Sequence, residues 1–464
     1  MIINIIYINE SLLYEYNPNS NYYNDICNIN TTKYGTDITL YDRKDEYNKN
    51  NMFICPNNCK YINYDVNNKY VKCQCEPKNG ISLDKTKLIN ILINKKTTIN
   101  LKILKCHKKL FSKIGLIKNS ANYIIFLIIV LYIASGVYFF AKGQKIFFKQ
   151  FEEIYNTKKI EIENKLRKDL NNEEQSKGDI SEFSASIKKL YKSNSNRNIF
   201  KFESRNNINS TKSNSITKDI SNKIIIKEND IIEAQKQKYY EEYEINNFSY
   251  KKALTNDKRS FCQLYLSLLK MNHILIFSFN PQKDYNPYII KICLFFFVFA
   301  IYMFVNTLFF NDSMLHKIYE DKGNFNFSFA ITRIIYSIII CSIINVIINK
   351  LYLTQQNILE IKNENNIIIF NFRLINIIKC LTIKLLLFFI INLICLIFFW
   401  FYLSCFCFIY QNTQTYLFIV ILISYSISLI YPFFIYFISC IFRFSALKSS
   451  GMCLYKTSQL LQLF

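Results

Sequence analysis

The chain is 464 residues long, carries a formal net charge of +23, and is 51% hydrophobic with only 8 glycines. So few glycines all but exclude the loops that cradle phosphates, and His107, His273 and His316 stand too far apart to form a metal or nucleophile motif. The lysines are spread along an Ile-, Asn-, Lys-, Tyr- and Phe-rich chain that A/T-only codons can encode, so the charge reads as coding bias and not as a nucleic-acid footprint.

Residues 1–120 come first. MIINIIYINE has no basic start, too short an apolar run and no small-residue cleavage site, so we read no signal peptide there and expect this segment to be the end of a larger ectodomain. It holds Cys27, Cys55, Cys59, Cys73, Cys75 and Cys106, an even number that suits a disulfide framework whose pairing the sequence leaves open. The block CPNNCKYINYDVNNKYVKCQC, Cys55 to Cys75, has the look of a stapled hairpin turning at Asp65 to Asn68. A four-thiolate zinc site is the rival reading, although its C-x-C half is narrower than usual. Acceptor sequons stand at Asn9, Asn30, Asn311 and Asn326, the last two very near the bilayer.

Five apolar runs follow, each long enough for the roughly 20 helical residues that cross a hydrocarbon core of about 30 Å. They cover 121–141, 288–310, 327–349, 385–410 and 415–442. The fold class expected is therefore an all-α membrane protein with about five transmembrane helices, a small cysteine-rich β-hairpin-like extracellular segment and a partly disordered cytoplasmic loop. Basic residues beside spans stay on the cytoplasmic side. The 350–384 connection is rich in them, as is the tail, 443–464, with Arg443, Lys448 and Lys456. The Gln411 turn has no charge, and the 310–327 loop balances its lysines with acids. This puts the N-terminus outside and the C-terminus in the cytoplasm, in the plasma membrane or another secretory-pathway membrane.

The 142–287 region is then cytoplasmic. Its first part continues the first span as a helix of mixed charge, and 171–222 is a Ser/Asn/Lys mixture with the composition of a disordered linker. The apolar stretch 261–279 is broken by Lys270, Asn272 and His273, so we expect an interfacial helix or helical hairpin there, with Lys258 and Arg259 facing anionic headgroups.

Polar side chains at membrane depth are the candidates for function. Lys291 is placed to snorkel, Arg333 to snorkel or to pair with Asp312 or Glu320, and Asn306, Asn345 and Asn392 to hydrogen-bond between helices. No catalytic, cofactor-binding or metal site is read, and an enzyme is not expected.

The segments YNDIC, GTDITLYDRKDEY, the Cys55 to Cys75 block, ILKCHKKLFSKIG, NDKRSFCQLYLSLLK, DYNPYIIKICLFFF and LFFNDSMLHKIYEDKGNFNF run nearly the length of the chain. Together they resemble a large family of uncharacterised multi-pass membrane proteins of single-celled eukaryotes, whose members carry a cysteine-containing extracellular segment before the first span. The resemblance implies this topology and a longer ectodomain upstream, and it brings no established activity. The expectation is a cell-surface binding or structural protein, the alternative a channel or transporter subunit. Expected partners are membrane lipids, an extracellular ligand or protein, and cytoskeletal or anionic-lipid contacts of the cytoplasmic loop.

Overall fold

The computed structural model describes residues 2–4, 14–50, 55, 59–65, 70–75, 99–111, 117–174, 240–280, 285–354, 357–358, 367–449 and 451–462. Most of the 171–222 linker therefore lies outside the described residues, as does the sequon at Asn9.

The cysteine-rich segment begins with a small antiparallel sheet of order β1-β3-β2, in which β1 is Ile2–Asn4, β2 is Cys59–Asp65 and β3 is Tyr70–Cys75. The expected hairpin is thus real but gains a third strand. Its base is closed by Cys55–Cys73 and Cys59–Cys75, while Cys27–Cys106 joins the two ends of the segment. All six thiols are used in these bonds, which leaves none as a thiolate for zinc. Between them, α1 (Leu40–Lys49) starts at a capping box in which Thr39 and Asp42 satisfy each other's backbone N–H groups.

Five helices are long and apolar enough to cross a membrane, and this is a multi-pass integral membrane protein. The first, α2 (Ser120–Tyr138), passes through a π turn, Phe139–Gly143, into α3 (Gln144–Glu174). Helix formation thus runs slightly past the start of the Ser/Asn/Lys composition. Short helices α4 (Glu242–Asn246) and α5 (Tyr250–Asn256) lead to the 261–279 stretch. That stretch is two helices, α6 (Phe261–Asn272) and α7 (Ile274–Phe279), because His273 takes extended backbone angles. The remaining spans are α8 (Tyr288–Leu308), α10 (Phe327–Tyr352), α11 (Ile367–Ile409) and α12 (Gln414–Ser449), with α9 (Asp312–Glu320) between α8 and α10. The helix of the fourth span starts eighteen or so residues before the apolar run, since nothing between Ile367 and Leu385 is a helix breaker. A last helix, α13 (Met452–Leu461), folds back on α12.

Burial is uneven among the spans. In α8, 61% of the apolar window is buried, against 22–33% in the other four. It is the central helix, packed by α10, α11 and α12 and touched also by α2, which packs mainly on α11. A helix that is apolar all round needs such a position, whereas the others can give one face to lipid. Where α2 meets α11, a Cβ on Gly136 would stand 3.2 Å from the Phe389 ring, so this close approach depends on glycine.

Pro432 interrupts the α12 ladder, because it has no N–H and its ring crowds the preceding turn. Other side chains meet the carbonyls near it. His273 Nε2 lies 2.8 Å from the Leu429 carbonyl, and the Tyr265 hydroxyl donates to the Phe433 carbonyl at 3.2 Å. This holds α6 and its joint with α7 against α12.

Candidate functional site

The α8–α10 connection, the α11–α12 turn and the cysteine-rich segment all meet at one end of the bundle, here called the disulfide end. The richest convergence of polar side chains lies in their contact. Asp42 and Glu46 are one turn apart on α1, and His316 and Tyr319 share a face of α9. Asp42 Oδ1 lies 2.5 Å from His316 Nδ1, the Tyr319 hydroxyl donates to Glu46, and His316 Nε2 lies 3.2 Å from Glu320.

A second anchor is Asp37. Its carboxylate accepts from the Asn412 and Thr413 amides at 2.9 and 2.8 Å, from the Thr413 hydroxyl at 2.8 Å and from the Asn412 side chain at 3.2 Å. It therefore caps the α11–α12 turn from outside the bundle. Burial pushes the Asp37 carboxyl above its ordinary pKa, an effect that these four donors oppose without cancelling. Burial does the same to Asp312, at the start of α9.

Backbone geometry fits the two surfaces together. After α9 the backbone turns left-handed at Lys322 (φ 53) and Gly323 (φ +81), and Gly323 donates to the Ile318 carbonyl at 2.9 Å, the wide bond of a Schellman cap. A Cβ there would meet Thr36 Cγ2 at 3.2 Å. Arg43, buried on α1, donates to the Tyr22 carbonyl at 2.7 Å and the Thr39 carbonyl at 3.3 Å. Further contacts extend the seat to the helix ends: the Tyr402 hydroxyl donates to the Asn100 carbonyl, Asn119 to the Ser404 carbonyl, and Gln414 to the Lys118 carbonyl.

At the opposite, tail end of the bundle lies a second polar knot. Arg443 is fully buried near the end of α12; it donates to the Asn246 and Ile245 carbonyls, each at 2.8 Å, and to Asp257 at 2.9 Å. Arg259 grips the same Asp257 with two bonds of 2.8 Å and also reaches Asn246 and Ser267. For Asp257, burial acts upward, but the two guanidinium groups outweigh it and hold the carboxyl below its ordinary range. Arg259 thus faces inward, not toward headgroups, because Asp257 and Asn246 offer it three acceptors.

The residues singled out by sequence are scattered, and no single site gathers them. Lys291 does not snorkel: it is buried with its ammonium 4.8 Å from the Phe277 ring centroid, because α7 covers it. Arg333 meets the Ser313 hydroxyl at 3.2 Å and lies over the Phe329 ring, and among the described residues it pairs with neither Asp312 nor Glu320. Asn306 bonds across helices, to Ser424 at 3.3 Å. Asn345 Oδ1 and Asn392 Nδ2 have no hydrogen-bond partner among the described residues, although Asn392 lies beside the Tyr132 hydroxyl. Asn311 and Asn326 are helix N-caps, accepting from Met314 and Phe329 amides, which accounts for asparagine at both sequons.

Sequence reasoning missed Asp37, Asp42, Glu46, His316, Tyr319, Asp257 and Arg443. A signal existed in part, since Asp42/Glu46 and His316/Tyr319 have the spacing of helix faces. Nothing in the sequence pairs those faces with each other. Comparison with protein-family models, with curated proteins and with solved structures gives no match.

Proposed function

We propose that this is a cell-surface membrane protein whose disulfide-bonded segment faces the outside, binds or contacts external partners, and passes the effect of that contact to the helix bundle. The observation that carries this reading is the seat. Asp37 holds the α11–α12 turn while Asp42 and Glu46 hold α9. One compact segment thus grips both loops of the disulfide end, more than a passive tether would need. Three disulfides in that segment suit an oxidising compartment, and the exposed Lys448 and Lys456 of the tail suit the cytoplasm.

Impermeant amine labelling of intact cells is the test. Lys33 and Lys322, both exposed at the seat, are expected to react in intact cells, and Lys456 only after permeabilisation. The reverse pattern would overturn the orientation, and labelling of none before permeabilisation would overturn the surface location.

A further inference from the structure

The bundle has a groove on one flank. Helices α10 and α11 both pack on α8 but scarcely touch each other. Between them lies a cavity of about 520 Å³. Its floor is Phe297, Ile301, Phe304, Val305 and Leu308 of α8. One wall is the α10 stripe Ile340, Ile344, Ile348 and Tyr352, and the other is Ile391, Asn392, Cys395 and Phe399 of α11. The α10 stripe alone covers about 18 Å at 1.5 Å per residue. Ile99 lies at the disulfide end, and the Tyr352 and Phe388 rings, with centroids 4.6 Å apart, border the tail end. The space is long, narrow and hydrocarbon-lined.

Two polar features lie toward its tail end. Asn392 is the one amide in the lining, one turn from Phe388; it is 1% exposed, and its Nδ2 has no acceptor in hydrogen-bond geometry. The neighbouring Tyr132 hydroxyl donates to the Phe388 carbonyl at 3.2 Å, and its oxygen stands beside Asn392 without closing a hydrogen bond in good geometry. An unpaired buried donor is costly, and a ligand carbonyl would satisfy it. Just beyond Tyr352, Lys384 Nζ bonds the Leu353 carbonyl at 2.9 Å, and Lys350 is exposed two residues before Tyr352.

From this arrangement we infer that the cavity is a binding site for one acyl chain of an anionic glycerophospholipid. The chain lies along α8, an ester carbonyl accepts from Asn392, and the phosphate is directed to Lys350 and Lys384. Hydrocarbon of the bilayer fills a space that would otherwise forfeit packing contacts, and the two lysines select the negative headgroup.

Native mass spectrometry of the intact protein, reconstituted with phosphatidylserine and phosphatidylcholine together and then extracted, tests the site. One phosphatidylserine is expected to survive delipidation. Ile344→Trp, which fills the cavity, should remove it, and Lys350→Glu with Lys384→Glu should cut the preference for phosphatidylserine about tenfold. Equal retention by Ile344→Trp would overturn the site, and loss of headgroup preference in the wild type would overturn the phosphate assignment. Because a tryptophan can disturb folding, wild-type protein is also to be irradiated with phosphatidylserine carrying a diazirine in its chain. Crosslinks concentrated on Phe304, Ile344 and Cys395 support the site. Crosslinks shared among lipid-exposed residues such as Phe126 and Leu422 would mean annular lipid only, and would overturn it.

Discussion

The two ends of the bundle are fastened by opposite electrostatics. At the disulfide end, the buried Asp37 carboxylate of one segment meets neutral donors of another, the Asn412 and Thr413 amides. At the tail end, one carboxylate, Asp257, is shared by two arginines. The first arrangement leaves Asp37 desolvated among neutral donors. The second compensates its acid and buries an excess of positive charge. The difference teaches that the seat can be released without stranding an ion, whereas the tail-end knot cannot. A contact meant to change state belongs at the first end, and a fixed brace at the second.

The comparison breaks most readily at Asp257. Asp257→Asn leaves Arg259 and Arg443 buried with no anion, and removing one partner of a buried pair typically costs about 3–5 kcal/mol. The melting temperature in detergent should fall sharply, and α13 should become sensitive to trypsin at Lys456. A melt close to that of the wild type would show that the knot is not a brace. Asp37→Ala comes next. It leaves four donors of the α11–α12 turn without their acceptor, at a cost of about 1–3 kcal/mol for buried groups left unsatisfied. Faster proteolysis of the cysteine-rich segment, with the tail end still protected, is the expected pattern.

Acidity separates the two ends by sign. Asp257 is held low, so its stabilisation is present above the ordinary carboxylate pKa of about 3.9 and is lost as pH falls through its depressed folded value. Asp37 and Asp312 are pushed up by burial, so their contribution is fully present below about 3.9 and declines as pH rises through their elevated folded values. Lowering the pH from neutral should first tighten the seat and only later loosen the knot. Hydrogen exchange at the Asn412 and Thr413 amides, compared with Asn247 and Phe248 and corrected for intrinsic rates, measures both. Parallel responses at the two ends would remove the electrostatic distinction.

The bundle was legible in the sequence because about 20 apolar residues in a row leave a helix few alternatives in lipid. The stapled hairpin was legible for a similar reason, since cysteine pairs flank its aromatic stretches. The seat was not, because it joins Asp42 to His316 and Asp37 to Thr413, residues hundreds of positions apart whose meeting depends on the stacking of spans between them. Arg259 and Lys291 went astray by another route. Each lies beside an apolar stretch, where a basic side chain ordinarily reaches for water or headgroups. Here α7 covers Lys291, and Asp257 draws Arg259 inward. Side-chain spacing along one helix records a face, and only the fold records what the face meets.

Tyr319→Phe gives the mildest and most selective probe of the seat. It removes one hydroxyl that donates to Glu46 and keeps the ring that stacks near His316. Glu46 is not fully buried, so water can replace the lost donor, and the cost should be near the about 0.5–1.5 kcal/mol of an ordinary hydrogen bond. Asp37 would still hold the α11–α12 turn. Proteolysis of the cysteine-rich segment should therefore quicken less than in Asp37→Ala, and exchange should rise on α9 while staying unchanged at Thr413. If exchange rises equally at both places, the two grips of the segment act as one unit, and a ligand pulling on either would release the whole seat.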